Sequence, residues 1–164
     1  MNRGWMSIVS KGEGAMIAIG TFEDELYNIK KVCEHGSFEY SNPNFPFRST
    51  VTSHFKNVQR KDKHGIYIIR QKSTGEVLYI GKGGTLDQDG NFKSQDIPGR
   101  LKNLKNSDTS ANEWFKSLFE EKGPLVIEYI FLPTKPISPT FIESLLLQAY
   151  YNEHKSLTCR NNSF

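Results

Sequence analysis

A glutamate, an arginine, two tyrosines and a lysine stand out in this chain because of the residues around them. Glu143 lies in PTFIESLLLQAY, where helical spacing puts it on one face with Leu147 and Tyr150 and beside Ile142, Leu145 and Leu146. A carboxylate on an apolar helix shoulder is costly unless a cation or a donor meets it. Two readings meet that requirement. Glu143 is either an acid at the edge of the core paired with Lys or Arg, or a ligand of one hard divalent cation whose shell water completes, as Mg2+ prefers. Arg100, in IPGRLKNLKN, offers an always-charged planar fork suited to a phosphate oxygen; taken singly, an arginine is more often a surface residue. Tyr67 and Tyr79 lie in HGIYIIRQKSTGEVLYIGKGG, residues 64–84. That stretch repeats a phrase of one make, Gly65-Ile66-Tyr67 and Tyr79-Ile80-Gly81, and Lys82 follows directly. These residues are either plain hairpin residues or one wall of a site.

Other stretches resemble motifs and fail on spacing. Gly81-Lys82-Gly83-Gly84-Thr85 looks like a phosphate loop, but Gly75 is one residue too far from Gly81 and Gly83 occupies the hydroxyl position. Asp87-Gln88-Asp89-Gly90-Asn91 looks like a calcium loop, yet its glycine comes two positions early and Pro98 stands where the bidentate Glu belongs. Cys33 and Cys159 form no CxxC pair, Cys33 and His35 lack two further ligands, and His54, His64 and His154 are scattered. The cysteines therefore read as reduced and structural.

The elements that must position the five residues follow from periodicity. Alternating apolar residues on both sides of Thr74-Gly75 predict a β-hairpin over about 65–81. A Gly- and Asp-rich loop follows to about residue 97, then a short helix over about 98–106 carrying Arg100, with Leu101 and Leu104 facing inward. Trp114, Phe115, Leu118 and Phe119 form the core stripe of a helix over 110–122, which Gly123-Pro124 ends. LVIEYIFL, residues 125–132, is a buried strand, and Ser138-Pro139 opens a last helix to about 154. Upstream, residues 15–20 read as a short strand. Thr21 to Gly36 reads as a helix with Phe22, Leu26, Ile29 and Cys33 on its face, and 40–50 as an extended loop. The loop's aromatics beside Arg48 either fold over the core or stack on bases. A hairpin followed by segregated helices predicts an α+β fold with a small antiparallel sheet.

The 164 residues suffice for one core. Net charge is +3, unevenly spread: residues 1–64 carry 9 Lys and Arg against 7 acids, 65–106 carry 7 against 4, and 107–164 carry 5 against 7. Clusters at Lys56, Arg60, Lys61, Lys63 and around Lys102 and Lys105 suit a polyanion, since each cation near a phosphate releases counterions; the plainer reading is solvated loop charge. No apolar run approaches the ~20 residues of a membrane span. The apolar patch Ala15–Ile19 is too short for a signal core. The expectation is a cytoplasmic protein with no membrane partner.

GIY on one hairpin strand, YIG on the next, an arginine on the following helix and a glutamate on a later one resemble the GIY-YIG nuclease superfamily. Gly65-Ile66-Tyr67, Tyr79-Ile80-Gly81, Arg100 and Glu143 fall in the family's order, and Lys82 matches a basic residue common there. The resemblance covers residues 64–164 and leaves 1–63 as an N-terminal extension, a candidate DNA-contacting region. It implies a three-stranded antiparallel sheet flanked by helices. It also implies metal-dependent cleavage of phosphodiester bonds with a single divalent ion, Mg2+ or Mn2+. Carried over, Glu143 holds the metal, Arg100 stabilises charge on the scissile phosphate, and Lys82 shapes the local potential. Tyr67 is general base or water-positioner, with Tyr79 in support. An unperturbed tyrosine is only about one part in a thousand ionised at pH 7, so a base role requires roughly 4 kcal/mol of phenolate stabilisation. Many members carry His or Tyr four residues after the arginine. Here that position is Leu104, so the helper group is either missing or replaced by Asn103 or a residue of the 85–97 insertion. Gly81 is a supporting candidate, as are Asn161 and Asn162 in place of the asparagine usual near the module's end. The small size resembles stand-alone enzymes of restriction type that cut duplex DNA at a sequence. The alternatives are cleavage of branched or damaged DNA, a non-cleaving nucleic-acid-binding module, and a buried polar network with no function of its own. One module supplies one active site, so concerted cutting of both strands requires a homo-oligomer or two encounters.

Overall fold

The computed structural model describes residues 6–11, 14–103, 109–133 and 137–164; Leu104 and Lys105 lie outside the described residues. In chain order the elements are β1 (Met6–Lys11), β2 (Gly14–Ile19), α1 (Phe22–Lys30), β3 (His35–Tyr40), α2 (Phe47–Lys56), β4 (Gly65–Gln71) and β5 (Val77–Gly83). The short β6 (Thr85–Leu86) and β7 (Phe92–Lys93) follow, then α3 (Ile97–Lys102), α4 (Ala111–Lys122), β8 (Leu125–Phe131) and α5 (Pro139–His154).

The predicted hairpin forms as β4 and β5, with Tyr67 opposite Gly81 and Ile69 opposite Tyr79. β8 pairs with the other edge of β4, and β3 pairs with β8, so the main sheet is antiparallel in the order β3-β8-β4-β5. The fold is α+β as expected, but this sheet has four strands. The fourth begins in the last two residues of the segment read as helix and runs on to the start of the segment read as loop. α1 stops at Lys30, and His35–Tyr40 pairs with Leu125–Ile130 instead. Gly36 does not end a helix. It faces the Tyr129 ring, whose hydroxyl would lie 2.4 Å from a Cβ placed there. Phe38 and Tyr40, two residues apart, turn inward as strand geometry requires.

β4 is central, so both its faces are covered, and this explains its continuous apolar run. Ile66 and Ile68 pack with residues of α1 and α5, including Leu26, Ile142 and Leu146. Tyr67 and Ile69 point the other way, into a core with Phe47 and Val51 of α2, Leu101 of α3 and Phe115 of α4. α2 is the second departure from the sequence reading. Phe47, Val51 and Phe55 recur at intervals of four and are buried. Phe47 stacks on Phe115, and Tyr40 packs edge-on against Phe47 at 5.2 Å. Most of the loop's aromatics thus close the core, and Phe45 stays exposed.

Helix ends follow their sequence signals. Ser110 and Glu113 form a capping box on α4, and the Ser138 hydroxyl accepts the Phe141 N–H at the start of α5. Asp96 caps α3 through the Gly99 N–H at 2.9 Å. β1 and β2 form a separate antiparallel pair. No helix among the described residues is long and apolar enough to cross a membrane.

Candidate active site

The hairpin and two helices bring four of the five singled-out residues to one cleft. Tyr79 and Lys82 of β5, Arg100 of α3 and Glu143 of α5 line a cavity of about 440 Å3. Thr85, Ser94 and Gln95 complete the wall. These three belong to the insertion between Lys82 and Arg100, which also carries the β6–β7 pair. Their polarity was visible in the sequence, but nothing local marked them as site residues.

Lys82 is held from α5. Its ammonium donates to Thr140 Oγ1 at 2.6 Å and lies 3.9 Å from Glu143 Oε2. Glu143 is four-fifths buried at its side chain, and among the described residues no hydrogen bond reaches its carboxylate. Burial pushes its pKa above the usual carboxylate range, and the charges of Lys82 and Arg100 act in the opposite direction. Among the described residues the nearest cation to the acid is thus Lys82, at ion-pair distance.

Tyr67 is the fifth residue, and it does not line the cleft. Its side chain is 1% exposed and belongs to the core behind Tyr79, the rings stacked at 5.8 Å. Burial raises the Tyr67 pKa well above the ordinary tyrosine value, with Tyr79 and Glu143 acting the same way and Arg100 opposing. Burial also raises Tyr79, and the Glu143 charge acts the same way, while the neighbouring Tyr67 hydroxyl and Arg100 favour the Tyr79 phenolate. Tyr79 thus lines the cleft and Tyr67 stands behind it, ring against ring, whereas the sequence expectation had Tyr67 as base or water-positioner and Tyr79 in support.

Gly81 makes this arrangement possible. A Cβ there would come within 2.5 Å of Tyr67 Cζ and 2.6 Å of Tyr79 Cε1. Both rings lean over the bare backbone of the strand.

Asn161 supports the site through β5. Its amide matches the free edge of the strand, accepting the Ile80 N–H at 2.9 Å and donating to the Ile80 carbonyl at 2.9 Å. The Thr158 hydroxyl donates to the same Asn161 oxygen at 2.6 Å. The residues after α5 therefore take the place of a further strand beside YIG. Asn161→Ala should cost ~1–3 kcal/mol by leaving both Ile80 groups without partners. A lowered urea midpoint at unchanged m-value is the expected measurement. Asn162 is exposed.

The remaining basic candidates divide. Arg60 is committed internally: it pairs with Glu34 at 2.9 Å, donates to the Asp62 carbonyl and lies over the Phe131 ring. Lys63 donates to the Arg60 carbonyl. Lys56 and Lys61 are exposed. Lys102 lies on α3, on the wall of a second cleft.

Among the described residues no three His, Cys, Asp or Glu side chains cluster as a metal cage. Glu143 is the carboxylate among the residues that line the cavity, so a hard cation there would have a single protein oxygen ligand and would draw the rest of its shell from water and substrate, as Mg2+ does. Family models, curated proteins and solved structures were all compared with this chain, and none matches it.

Proposed function

We propose that this protein is a metal-dependent DNA endonuclease of GIY-YIG type. The observation that carries the reading is the convergence of Tyr79, Lys82, Arg100 and Glu143, from three elements distant in sequence, on one polar cleft. In this reading β8, β4 and β5 are the three-stranded sheet of the family and β3 is an added edge strand. The substrate is duplex DNA cut at a sequence, in the manner of small restriction-type enzymes.

The reaction joins a water oxygen to phosphorus and breaks the bond from phosphorus to a sugar oxygen. Arg100 faces the phosphate as a fixed cation and stabilises the charge that builds on its oxygens. Glu143 is the residue that would hold a divalent ion, which when bound polarises a phosphoryl oxygen and acidifies water. Lys82 keeps the Glu143 carboxylate ionised and oriented through its anchor on Thr140. Tyr79 takes the proton of the attacking water, and Tyr67, stacked behind it, supports it from the core. The departing sugar oxygen takes its proton from solvent.

Because Tyr79 titrates above the ordinary tyrosine value, its ionised fraction grows tenfold per pH unit across the neutral range, and the cleavage rate should rise with pH. Tyr79→Phe should lower the rate ~10²-fold and flatten that rise. Tyr67→Phe should cost less, because its hydroxyl acts only through Tyr79. Single-turnover cleavage of supercoiled plasmid in Mg2+ from pH 6 to 9 tests this; equal losses and equal profiles for the two variants would defeat the assignment. Plasmid retention without cutting, in Mg2+ and in Mn2+, would instead favour a non-cleaving binding module.

A further inference from the structure

A second cleft of about 500 Å3 adjoins the first and shares Ser94 and Gln95 with it. α3 is the wall between them. Arg100 faces the first cleft, whereas Gly99 and Lys102, three residues apart and so on one helix face, line the second. Arg48 of α2 stands there too, its backbone N–H fixed to Asn112 Oδ1 of α4 at 2.9 Å. Many cations of this protein are engaged internally: Arg70 with Glu23 and Glu128, Lys72 with Glu39, Lys93 with Asp87. Neither the Arg48 guanidinium nor the Lys102 ammonium has an ion-pair partner among the described residues. The acid on this wall, Asp96, turns one oxygen to the cap of α3.

We propose that this second cleft seats a backbone phosphate flanking the scissile one on the same nucleic-acid strand, held by Arg48 and Lys102. The inference rests on the nuclease reading of the first cleft and gives it a strand path: from Glu143 and Arg100, over the Ser94–Gln95 saddle, to Arg48. It also gives the segment before the GIY strand a role through α2, since that helix brings Arg48 to the cleft. The basic run beginning at Lys56 has two of its members tied up in internal contacts.

The test uses the full chain and a fluorescein-labelled DNA duplex in chelator, so that nothing is cut. Affinity is followed against KCl concentration by anisotropy. The double variant Arg48→Ala/Lys102→Ala should bind ~3–10-fold more weakly at moderate salt, and its log–log salt slope should fall by ~0.9 for each phosphate that is no longer neutralised. A control, Lys31→Ala/Lys155→Asn, removes the same charge away from both clefts and should keep the wild-type slope; asparagine is chosen because Lys155 is left-handed, at φ 57°. Matching thermal melts show that all forms are folded. Wild-type protein that binds and cuts DNA, with an unchanged slope in Arg48→Ala/Lys102→Ala, overturns the flanking seat and leaves the nuclease reading standing. Equally reduced slopes in both double variants overturn it too, because net charge then explains the effect. Wild-type protein that neither binds nor cuts overturns both readings. Binding without cutting, with the slope reduced only in Arg48→Ala/Lys102→Ala, supports the phosphate seat and removes the nuclease.

Discussion

Glu143→Gln should lower phosphodiester cleavage by ~10³-fold or more while DNA retention in chelator stays near wild type. Glutamine keeps the shape of the side chain and one acceptor oxygen but loses the charge that a divalent ion needs. The same substitution should raise thermal stability in the absence of metal. Burial raises the Glu143 pKa in the folded protein above its unfolded value. Between those two values the native state binds more protons than the unfolded chain, so stability falls as pH rises through that window. Above the folded pKa the penalty is complete, and below the unfolded pKa it vanishes. Glu143→Gln removes the titration, so the variant should melt higher than the wild type at pH 8. The gain should disappear at acid pH. Excess Mg2+ should raise the wild type and leave the variant unmoved, since only a species that binds the native state stabilises it. A variant that still cuts plasmid at the wild-type rate would remove Glu143 from the mechanism.

The chemistry-bearing positions were legible in the sequence to different depths, for physical reasons. β4 and β5 announce themselves by alternation around Thr74-Gly75. α4 and α5 do so by helical stripes with Ser caps in front. Glu143 was visible as a carboxylate among the apolar residues of α5, and Arg100 by its place between the hairpin and the later helices. β3 was hidden because the helical run from Phe22 to Cys33 stays in phase past the true end of α1, and the strand partner that claims residues 35–40 lies about ninety residues downstream. α2 was hidden by Asn42-Pro43 and Pro46, which read as loop, although Pro46 stands just outside the helix as its cap residue. The order of the two tyrosines could not be read at all. In a strand, residues 67 and 79 lie on the same face of the hairpin, and only the packing of α2 and α4 decides which ring is sealed in. A GIY tripeptide is the same string whether its tyrosine fronts a cleft or backs one.

The glycines of GIY and YIG should fail differently when a methyl group is added, and the difference separates scaffold from site. A Cβ at Gly65 would lie 1.9 Å from the Ile130 carbonyl oxygen and 3.1 Å from the Leu132 backbone nitrogen. Those atoms are backbone of the paired strand and of the residue that follows it, and they cannot rotate away. Gly65→Ala must therefore push β4 from β8, and ~3–5 kcal/mol of stability should be lost. At Gly81 the obstacles are the Tyr67 and Tyr79 rings. Tyr79 borders open space and can swing towards the cleft, whereas Tyr67 is enclosed. Gly81→Ala should then cost less stability, ~1–3 kcal/mol, but displace the Tyr79 oxygen. Misplacement of a reacting group by about 1 Å costs ~10²-fold in rate. Gly75→Ala is the contrasting case: no atom lies within 4 Å of its Cβ position, and the cost is only that of φ +74° in the turn, ~1–2 kcal/mol. Urea melts and plasmid cleavage on the three variants give the comparison. The expected order of stability loss puts Gly65→Ala first, and the expected dissociation of stability from rate appears at Gly81→Ala alone. If Gly81→Ala instead loses rate only in proportion to its unfolded fraction, the two tyrosines are core residues and the cleft works without them.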